Sequence, residues 1–136
     1  MNYHIGHLGF STFDLDKTLA FYRDILGFRH IFSIPNDKGE RWIEYLMTPD
    51  GLFIELFVPE NASANTGTYK HLCLEVDDLE AAVAELTEKG VKINSPVRQG
   101  SDKNYQAWIS DPDGRDIELM QLNEIGDQYQ YRHGLK

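Results

Sequence analysis

The sequence PDGLFIEL at Pro49–Leu56 returns as PDGRDIEL at Pro112–Leu119, with six of the eight positions identical. We call the separation between Pro49 and Pro112 the repeat spacing. A second pair of segments lies at nearly the same separation, since His7-Leu8 returns as His71-Leu72. A chance match of one octapeptide does not explain a second match at this separation. We infer that the chain contains two copies of one structural unit.

The repeat divides the chain into four parts. We predict a first module over residues 1–60, a polar, turn-rich linker over residues 61–66, a second module over residues 67–122 and a tail over residues 123–136. A chain of 136 residues is close to the usual size of one compact domain, so we expect both modules to belong to a single domain 1–136.

Each module shows the same order of local signals. A short alternating segment is followed by a helix, with Asp14 as the predicted N-cap in the first module and Asp77 or Asp78 in the second. Gly27 and Gly90 are placed to end these helices. Three β-rich runs follow, and Pro-Asp-Gly joins the last two as a hairpin turn. The predicted strands are FRHIFSI, RWIEYLM and LFIELFV in the first module, and VKINSPV, YQAWISD and DIELMQL in the second.

Four side chains recur at matching positions and point to a metal site. Period-two alternation places Glu55 and Glu118 on the strand face opposite their Ile and Leu neighbours. It likewise places His7 and His71 on the face opposite their own apolar neighbours. A carboxylate among apolar residues is costly unless it is paired or bound to a metal. Two imidazoles and two carboxylates suit a divalent transition metal such as Ni²⁺, Co²⁺, Fe²⁺, Mn²⁺ or Zn²⁺. We predict that these four residues hold one such ion.

Taken singly, these residues have simpler explanations. A single histidine is more often a surface residue than a ligand, and a glutamate that alternates with Ile and Leu is ordinarily the solvent face of a strand. The recurrence of both residue types in both modules favours the metal. His4 lies on the same predicted face as His7, but it has no counterpart in the second module, where Thr68 stands.

Composition limits the partners and the compartment. The net charge is −9, with 22 acidic against 13 basic residues, so the surface repels nucleic acid. The single cysteine, Cys73, excludes an intrachain disulfide and indicates a reducing compartment. The sequence shows neither a signal peptide nor an apolar run of membrane-spanning length. We expect a cytoplasmic protein with a small-molecule substrate and with no nucleic-acid or membrane partner.

The motifs together resemble those of the vicinal oxygen chelate superfamily, which includes glyoxalase I, epimerases, extradiol dioxygenases and antibiotic-resistance proteins. The resemblance covers about residues 3–122 and rests on HLGFSTFDLDKTLAFYRDILGF, IELFVP, HLCLEVDDLEAA and DPDGRDIELMQ. It implies an α+β fold in which two tandem βαβββ modules form a cupped, eight-stranded mixed sheet around the metal. It maps the ligand positions onto His7, Glu55, His71 and Glu118. It also suggests a twofold homodimer, with the tail either solvated or reaching the partner.

The ligand set resembles that of bacterial glyoxalase I, a metal-dependent lyase or isomerase that moves a proton next to a carbonyl. That resemblance assigns the general base to Glu118 and makes Glu55 its counterpart on the opposite face of the substrate. Ser11 and Pro59 stand where glyoxalase I has the Arg and Asn that hold glutathione, so we expect glutathione not to be used. The alternatives are another metalloenzyme of the superfamily (an epimerase, sugar isomerase or dioxygenase) and a metal-retaining small-molecule binding protein.

Overall fold

The computed structural model describes residues 1–2, 5–59 and 71–136. The chain forms two compact units, Met1–Tyr69 and Lys70–Lys136. Each unit is built on one four-stranded sheet. The predicted linker, residues 61–66, lies outside the described residues.

The first unit contains, in chain order, β1 (His7–Ser11), α1 (Leu15–Ala20), β2 (Arg29–Pro35), β3 (Arg41–Met47) and β4 (Phe53–Phe57). Its sheet has the strand order β1-β4-β3-β2, with β1 parallel to β4 and the other neighbours antiparallel. The helix begins as predicted, because the Asp14 side chain accepts a hydrogen bond of 3.1 Å from the backbone nitrogen of Lys17. Gly51 closes the turn between β3 and β4 with a positive φ of 88°.

The first helix changes pitch halfway along its length. After α1 the chain continues as a π-helix over Phe21–Ile25, in which the backbone nitrogen of Leu26 donates to the oxygen of Phe21 at 3.1 Å. The sequence pattern predicts one regular helix, with Tyr22 but not Phe21 on its apolar stripe. In the wider turn both consecutive aromatic residues are buried, and they pack edge to face.

The second unit repeats the order and adds a helix: β5 (Leu72–Glu75), α2 (Leu79–Glu88), β6 (Ser95–Gln99), β7 (Tyr105–Ser110), β8 (Asp116–Gln121) and α3 (Asp127–Arg132). The strand order is β5-β8-β7-β6, with β5 parallel to β8. Of the two candidate N-caps, Asp78 is the one whose side chain accepts from the backbone, at 3.0 Å from the nitrogen of Ala81. Gly114 repeats the turn of Gly51, with a φ of 84°.

The strand β6 begins later than the pattern VKINSPV predicts. The backbone nitrogen of Val91 donates to the backbone oxygen of Leu86 at 2.9 Å, so Val91 closes the C-terminal end of α2. The chain reaches the sheet at Asn94, whose nitrogen donates to the oxygen of Trp108 at 2.8 Å. Ser95 is therefore the first residue of the strand.

These elements confirm the predicted α+β fold of paired βαβββ modules, with the eight strands arranged as two four-stranded mixed sheets. The predicted apolar strand faces are also confirmed, since Ile54 and Leu56 in β4 and Ile117 and Leu119 in β8 are buried. Leu8 on β1 departs from that pattern, because 38% of it is exposed. Among the helices in the described part of the chain, none has the length and apolar character needed to cross a bilayer.

The tail is bound to its own unit. Asn104, which is 1% exposed, accepts a hydrogen bond of 3.0 Å from the backbone nitrogen of Asn123 and donates one to the side chain of Gln128 in α3. Arg132 at the end of α3 lies 2.7–2.8 Å from both carboxylate oxygens of Glu75. The tail is therefore attached to the second unit by a buried side-chain amide and an ion pair, although no residue of α3 is buried.

Candidate metal centre

The first unit brings together one predicted pair of ligands, His7 and Glu55. In the parallel pairing of β1 with β4, Gly9 lies level with Glu55. His7 Nε2 lies 3.3 Å from Glu55 Oε2, with 12% of the glutamate side chain exposed and 51% of the histidine. A Cβ atom on Gly9 would lie in ordinary contact at 3.5 Å from Glu55 Oε2, so Gly9 lies directly beside the carboxylate.

The second unit repeats the pair with His71 and Glu118. Here β5 runs parallel to β8, and Cys73 lies level with the glutamate. His71 Nε2 lies 3.1 Å from Glu118 Oε2, with 38% of the histidine side chain and 12% of the glutamate side chain exposed. The same two residue types therefore meet in both units, with His7 opening β1 and His71 directly preceding β5.

Within each unit, no other His, Cys, Asp or Glu side chain among the described residues adds a third donor to the His–Glu pair. His4, the alternative to His7, lies outside the described residues. Within each unit, over the residues that the structure describes, no group of three or more His, Cys, Asp or Glu side chains is placed to hold an ion.

The donor distances inside each pair are compatible with a metal. Imidazole nitrogen and carboxylate oxygen bind Zn²⁺ at about 2.0–2.2 Å. Two such donors in neighbouring positions of a tetrahedral or octahedral shell are therefore roughly 3.0–3.4 Å apart. The separations of 3.3 Å in the first unit and 3.1 Å in the second lie within that range. The four residues thus fit a divalent transition metal by donor type and by spacing within each pair.

Tyr45 is attached to the glutamate of the first pair. It lies opposite Glu55 across β3 and β4, and its hydroxyl donates a hydrogen bond to Glu55 Oε1. This hydrogen bond is the main reason that the pKa of Tyr45 lies above its usual value. The ring of Phe32 stacks on Tyr45, with centroids 4.4 Å apart and planes at 20°. The alternation of apolar and polar residues alone does not identify Tyr45 as a site residue.

Trp108 takes the corresponding place in the second unit. It follows Tyr45 by one repeat spacing and lies opposite Glu118 across β7 and β8. Its ring meets that of His71 edge to face, with centroids 4.9 Å apart and planes at 83°. Tyr45 and Trp108 are separated by one repeat spacing, and this separation is a sequence signal that identifies both as candidate site residues.

A hydrogen bond holds the indole of Trp108 in place. Trp108 Nε1 donates to Gln106 Oε1 at 2.6 Å. The amide of Gln106 in turn occupies the space beside Gly100, where a Cβ atom would collide with Gln106 Nε2. A side chain at position 100 would therefore require the amide of Gln106 to shift.

The environment of Glu118 favours its protonated form. Burial is the largest cause that raises its pKa, and the negative charge of Asp102 adds to it, while the neighbouring His71 opposes both. A carboxylate with a raised pKa is a stronger base than an ordinary carboxylate. Sequence reasoning did not foresee the contribution of Asp102, which comes from the loop between β6 and β7.

Cys73 has the environment of an unreactive thiol. Burial and the charges of Glu118, Glu75 and Asp102 raise its pKa to about 11. The nucleophilic form of cysteine is the thiolate, which is scarce near neutral pH when the pKa is this high. Cys73 is therefore poorly suited to act as a nucleophile near neutral pH.

The duplicated βαβββ unit with one His–Glu pair on each sheet defines a class of protein. The chain belongs to the Glyoxalase/Bleomycin resistance protein/Dioxygenase superfamily, which it matches over residues 4–119. The resemblance to the vicinal oxygen chelate superfamily is thereby confirmed.

Known relatives within the superfamily carry different activities. The chain is 31% identical over 128 residues to a probable lactoylglutathione lyase of Synechocystis, covering 84% of this chain and 92% of that protein. It is 33% identical over 125 residues to the catechol-2,3-dioxygenase of Bacillus subtilis, covering 85% of this chain but 40% of that protein. A crystal structure of a superfamily member from Sphaerobacter thermophilus superposes with a TM-score of 0.73 at 26% identity, over 90% of this chain and 98% of the other.

Proposed function

We propose that the protein is a metal-dependent lyase or isomerase of the glyoxalase I type, which moves a proton next to a carbonyl group without using glutathione. The observation that carries this proposal is the recurrence of one His–Glu pair at matching positions of both units, with nitrogen–oxygen distances of 3.3 Å and 3.1 Å.

In this proposal His7, Glu55, His71 and Glu118 together bind one divalent transition metal, which is Ni²⁺, Co²⁺, Zn²⁺, Fe²⁺ or Mn²⁺. The ion, when bound, polarises the carbonyl oxygen of the substrate and so acidifies the neighbouring C–H bond. The donor separations within each pair support such a role.

The two glutamates have different surroundings and therefore different proposed roles. Glu118 takes the proton from the substrate carbon and returns it, the role that the resemblance to bacterial glyoxalase I implies for this position. Glu55 receives the hydroxyl of Tyr45, which orients its carboxylate as the counterpart on the other side of the substrate.

The proposed substrate is a small molecule without a glutathione arm. Ser11 ends β1 and Pro59 follows β4 two residues after its end, and neither side chain carries a charge that would hold a glutathione carboxylate. We further propose that the enzyme is cytoplasmic and a homodimer. The single cysteine supports a reducing compartment, and a closed twofold pair is the commonest oligomer.

A second candidate function is dioxygenase chemistry, which the 33% identity to a catechol-2,3-dioxygenase favours. An epimerase, a sugar isomerase and a metal-retaining binding protein stay as further alternatives within the superfamily.

Proton transfer can be observed directly. The purified protein is loaded with Ni²⁺ or Co²⁺ in D₂O, and deuterium incorporation beside the carbonyl of hydroxyacetone is followed by NMR. We expect metal-dependent incorporation that the Glu118→Gln variant loses and the Cys73→Ser variant keeps. Oxygen consumption with catechol by the Fe²⁺-loaded protein, without deuterium exchange, would instead establish the dioxygenase. Metal uptake with neither reaction would favour the binding protein.

A further inference from the structure

Tyr45 contacts both members of the first His–Glu pair. Its ring meets the imidazole of His7 edge to face, with centroids 6.4 Å apart and planes at 66°. Its hydroxyl donates to Glu55 Oε1, while Glu55 Oε2 lies 3.3 Å from His7 Nε2. The two oxygens of this carboxylate therefore have different partners, one the tyrosine and the other the histidine.

Trp108 repeats only half of this arrangement in the second unit. Its ring meets His71 edge to face, as the tyrosine ring meets the histidine of the first unit. Its indole nitrogen, the one polar atom of the side chain, donates to Gln106 Oε1 at 2.6 Å and not to Glu118. The aromatic ring beside the histidine is thus common to both units, and the hydroxyl is not.

The carboxylate of Glu118 has one oxygen without the constraint that acts on Glu55. Glu118 Oε2 lies 3.1 Å from His71 Nε2, as in the first pair. Among the residues that the structure describes, no hydroxyl donates to Glu118 Oε1 in the way that Tyr45 donates to Glu55 Oε1. The two pairs therefore match in the histidine and in the near oxygen, and they differ at the far oxygen.

A hydrogen bond to one carboxylate oxygen limits what the other can do. The last torsion of a glutamate side chain is soft, so an unrestrained carboxylate can turn and can offer a metal either oxygen or both. A hydroxyl that donates to an ionised carboxylate makes a short, strong bond, which opposes this rotation. The tyrosine ring is itself held by Phe32, which stacks on it with centroids 4.4 Å apart. Glu55 is thus presented in one orientation.

We propose that Tyr45 is a positioning residue of the metal site, whose hydroxyl restricts Glu55 to one metal-binding oxygen, Oε2, and holds that oxygen toward the ion. This inference rests on the proposed function, because it requires the ion that the two His–Glu pairs would bind. The two units then contribute unequally to the site. The first supplies a fixed carboxylate, and the second supplies Glu118, which keeps the freedom to turn.

Removal of a single oxygen atom tests the assignment. Tyr45→Phe keeps the ring and its contacts with His7 and Phe32, and it loses only the hydroxyl. Calorimetry with Ni²⁺ and the full chain should give an unchanged stoichiometry and about tenfold weaker binding. This loss is the lower end of the roughly 10–100-fold range for residues that hydrogen-bond to a metal ligand.

Tyr105→Phe is the matched control. Tyr105 opens β7 and lies level with Gln121, and the alternation along the strand places it on the face opposite Trp108. It is 39% exposed, so loss of its hydroxyl should leave the fold intact. The affinity of this variant for Ni²⁺ should equal that of the wild-type protein.

A spectroscopic measurement separates positioning from a general loss of stability. The visible absorption of the Co²⁺-loaded protein depends on the number and arrangement of the atoms bound to the ion. Tyr45→Phe should change the position or intensity of these bands, because Glu55 is then free to turn or to bind through both oxygens. Tyr105→Phe should leave the bands as they are in the wild-type protein.

A double-mutant cycle identifies the residue through which the hydroxyl acts. Tyr45→Phe should cause no further loss of Ni²⁺ affinity in a Glu55→Ala background, because the carboxylate that it orients is gone. In a Glu118→Gln background it should still cause its full loss of about tenfold.

The outcomes separate this inference from the proposed function. If the wild-type chain takes up no Ni²⁺, the metal site is wrong, and the role of Tyr45 is wrong with it. If the wild-type chain binds the ion and Tyr45→Phe has the same affinity and the same Co²⁺ spectrum, the metal site stands and the role of Tyr45 is wrong. If Tyr45→Phe weakens binding equally in the Glu55→Ala and Glu118→Gln backgrounds, its hydroxyl does not act through Glu55, and the inference is overturned.

Discussion

Glu44 and Ala107 occupy the same position in the two units, one repeat spacing apart on β3 and β7, and both are buried. Ala107 is apolar like its surroundings. Glu44 instead accepts hydrogen bonds from His30 at 2.8 Å, from Arg41 at 2.9 Å and from Ser33. The first unit thus has a buried ionic network at a position where its duplicate has an alanine.

Glu44 should make the stability of the protein depend on pH. Burial alone would raise its pKa, but the hydrogen bonds from Ser33, Arg41 and His30 outweigh burial and hold the pKa below its usual value of 4.5. A depressed carboxyl pKa stabilises the fold above the unfolded-state pKa, and this stabilisation is lost as the pH falls through the folded-state pKa. Glu44→Gln should cost about 1–3 kcal/mol near neutral pH.

The difference in unfolding free energy between the wild-type protein and Glu44→Gln should shrink when the pH is lowered below about 4.5. Urea unfolding of the wild-type protein and of Glu44→Gln across this pH range measures that difference. Glu80→Gln, at an exposed position in α2, is the matched control and should have little effect. Equal losses for Glu44→Gln at neutral and acidic pH would show that the network does not depend on the charge of Glu44.

Metal binding should require residues of both units. Calorimetry with Ni²⁺ should give about one ion per chain. His71→Ala and Glu118→Gln should each weaken Ni²⁺ binding, and so should their counterparts His7→Ala and Glu55→Gln. Each loss of affinity should exceed the roughly 10–100-fold that follows removal of a residue that only hydrogen-bonds to a metal ligand. His4→Ala should not weaken Ni²⁺ binding. A stoichiometry of two ions per chain would mean that each pair binds its own metal, and no uptake would mean that the pairs are simple ion pairs.

The methylglyoxal–glutathione adduct should be a poor substrate. Ser11 and Pro59 offer no charged contact for the glutathione arm, so turnover by the metal-loaded protein should be weak or absent. The assay follows formation of the thioester product at saturating adduct. Turnover of roughly 10–1,000 per second would show that other residues hold glutathione.

Deleting the tail should destabilise the second unit. Truncation after Leu122 removes the backbone nitrogen of Asn123 and the side chain of Gln128, both partners of the buried Asn104. Loss of such partners costs about 1–3 kcal/mol in unfolding free energy. Arg132→Ala removes only a partly exposed ion pair with Glu75 and should cost about 0–1 kcal/mol in the same denaturation experiment. Equal stability of the truncated and full chains would contradict the anchoring role of Asn104.

Light scattering at micromolar concentration should give a mass near twice the 15.6 kDa of one chain. The physical reason is that exposed strand edges are usually covered, and a closed twofold pair covers them economically. The truncated chain provides the comparison, because it tests whether the tail contributes to association. A mass that stays near that of one chain as concentration is raised would exclude the homodimer.

Local sequence chemistry was sufficient to predict the features that depend on neighbouring residues. Asp14 caps α1, Asp78 of the two candidates Asp77 and Asp78 caps α2, and Gly51 and Gly114 close the hairpins, because capping and positive φ are properties of short segments. The alternation of apolar and polar residues also predicted which faces of β4 and β8 are buried. It thereby predicted the side of each sheet on which the glutamate lies close to its histidine.

The features that escaped prediction depend on contacts between distant segments. Glu44 lies on a buried face where alternation alone predicts an apolar residue, and its partners His30 and Ser33 come from another strand with an irregular register. The helix α3 has no periodic apolar pattern, because a buried side-chain amide holds it rather than an apolar stripe. The role of Tyr45 became visible only when register placed its hydroxyl beside Glu55.

Because Gly100 and Gln106 lie in contact, the residue that position 100 can accept depends on the residue at position 106. A larger residue at position 100 requires the amide of Gln106 to move or to be replaced by a shorter side chain, and the same amide carries Oε1, the acceptor for the indole nitrogen of Trp108. The two substitutions will therefore have non-additive effects on folding free energy. Among homologues, glycine at 100 and a long amide at 106 should appear and disappear together.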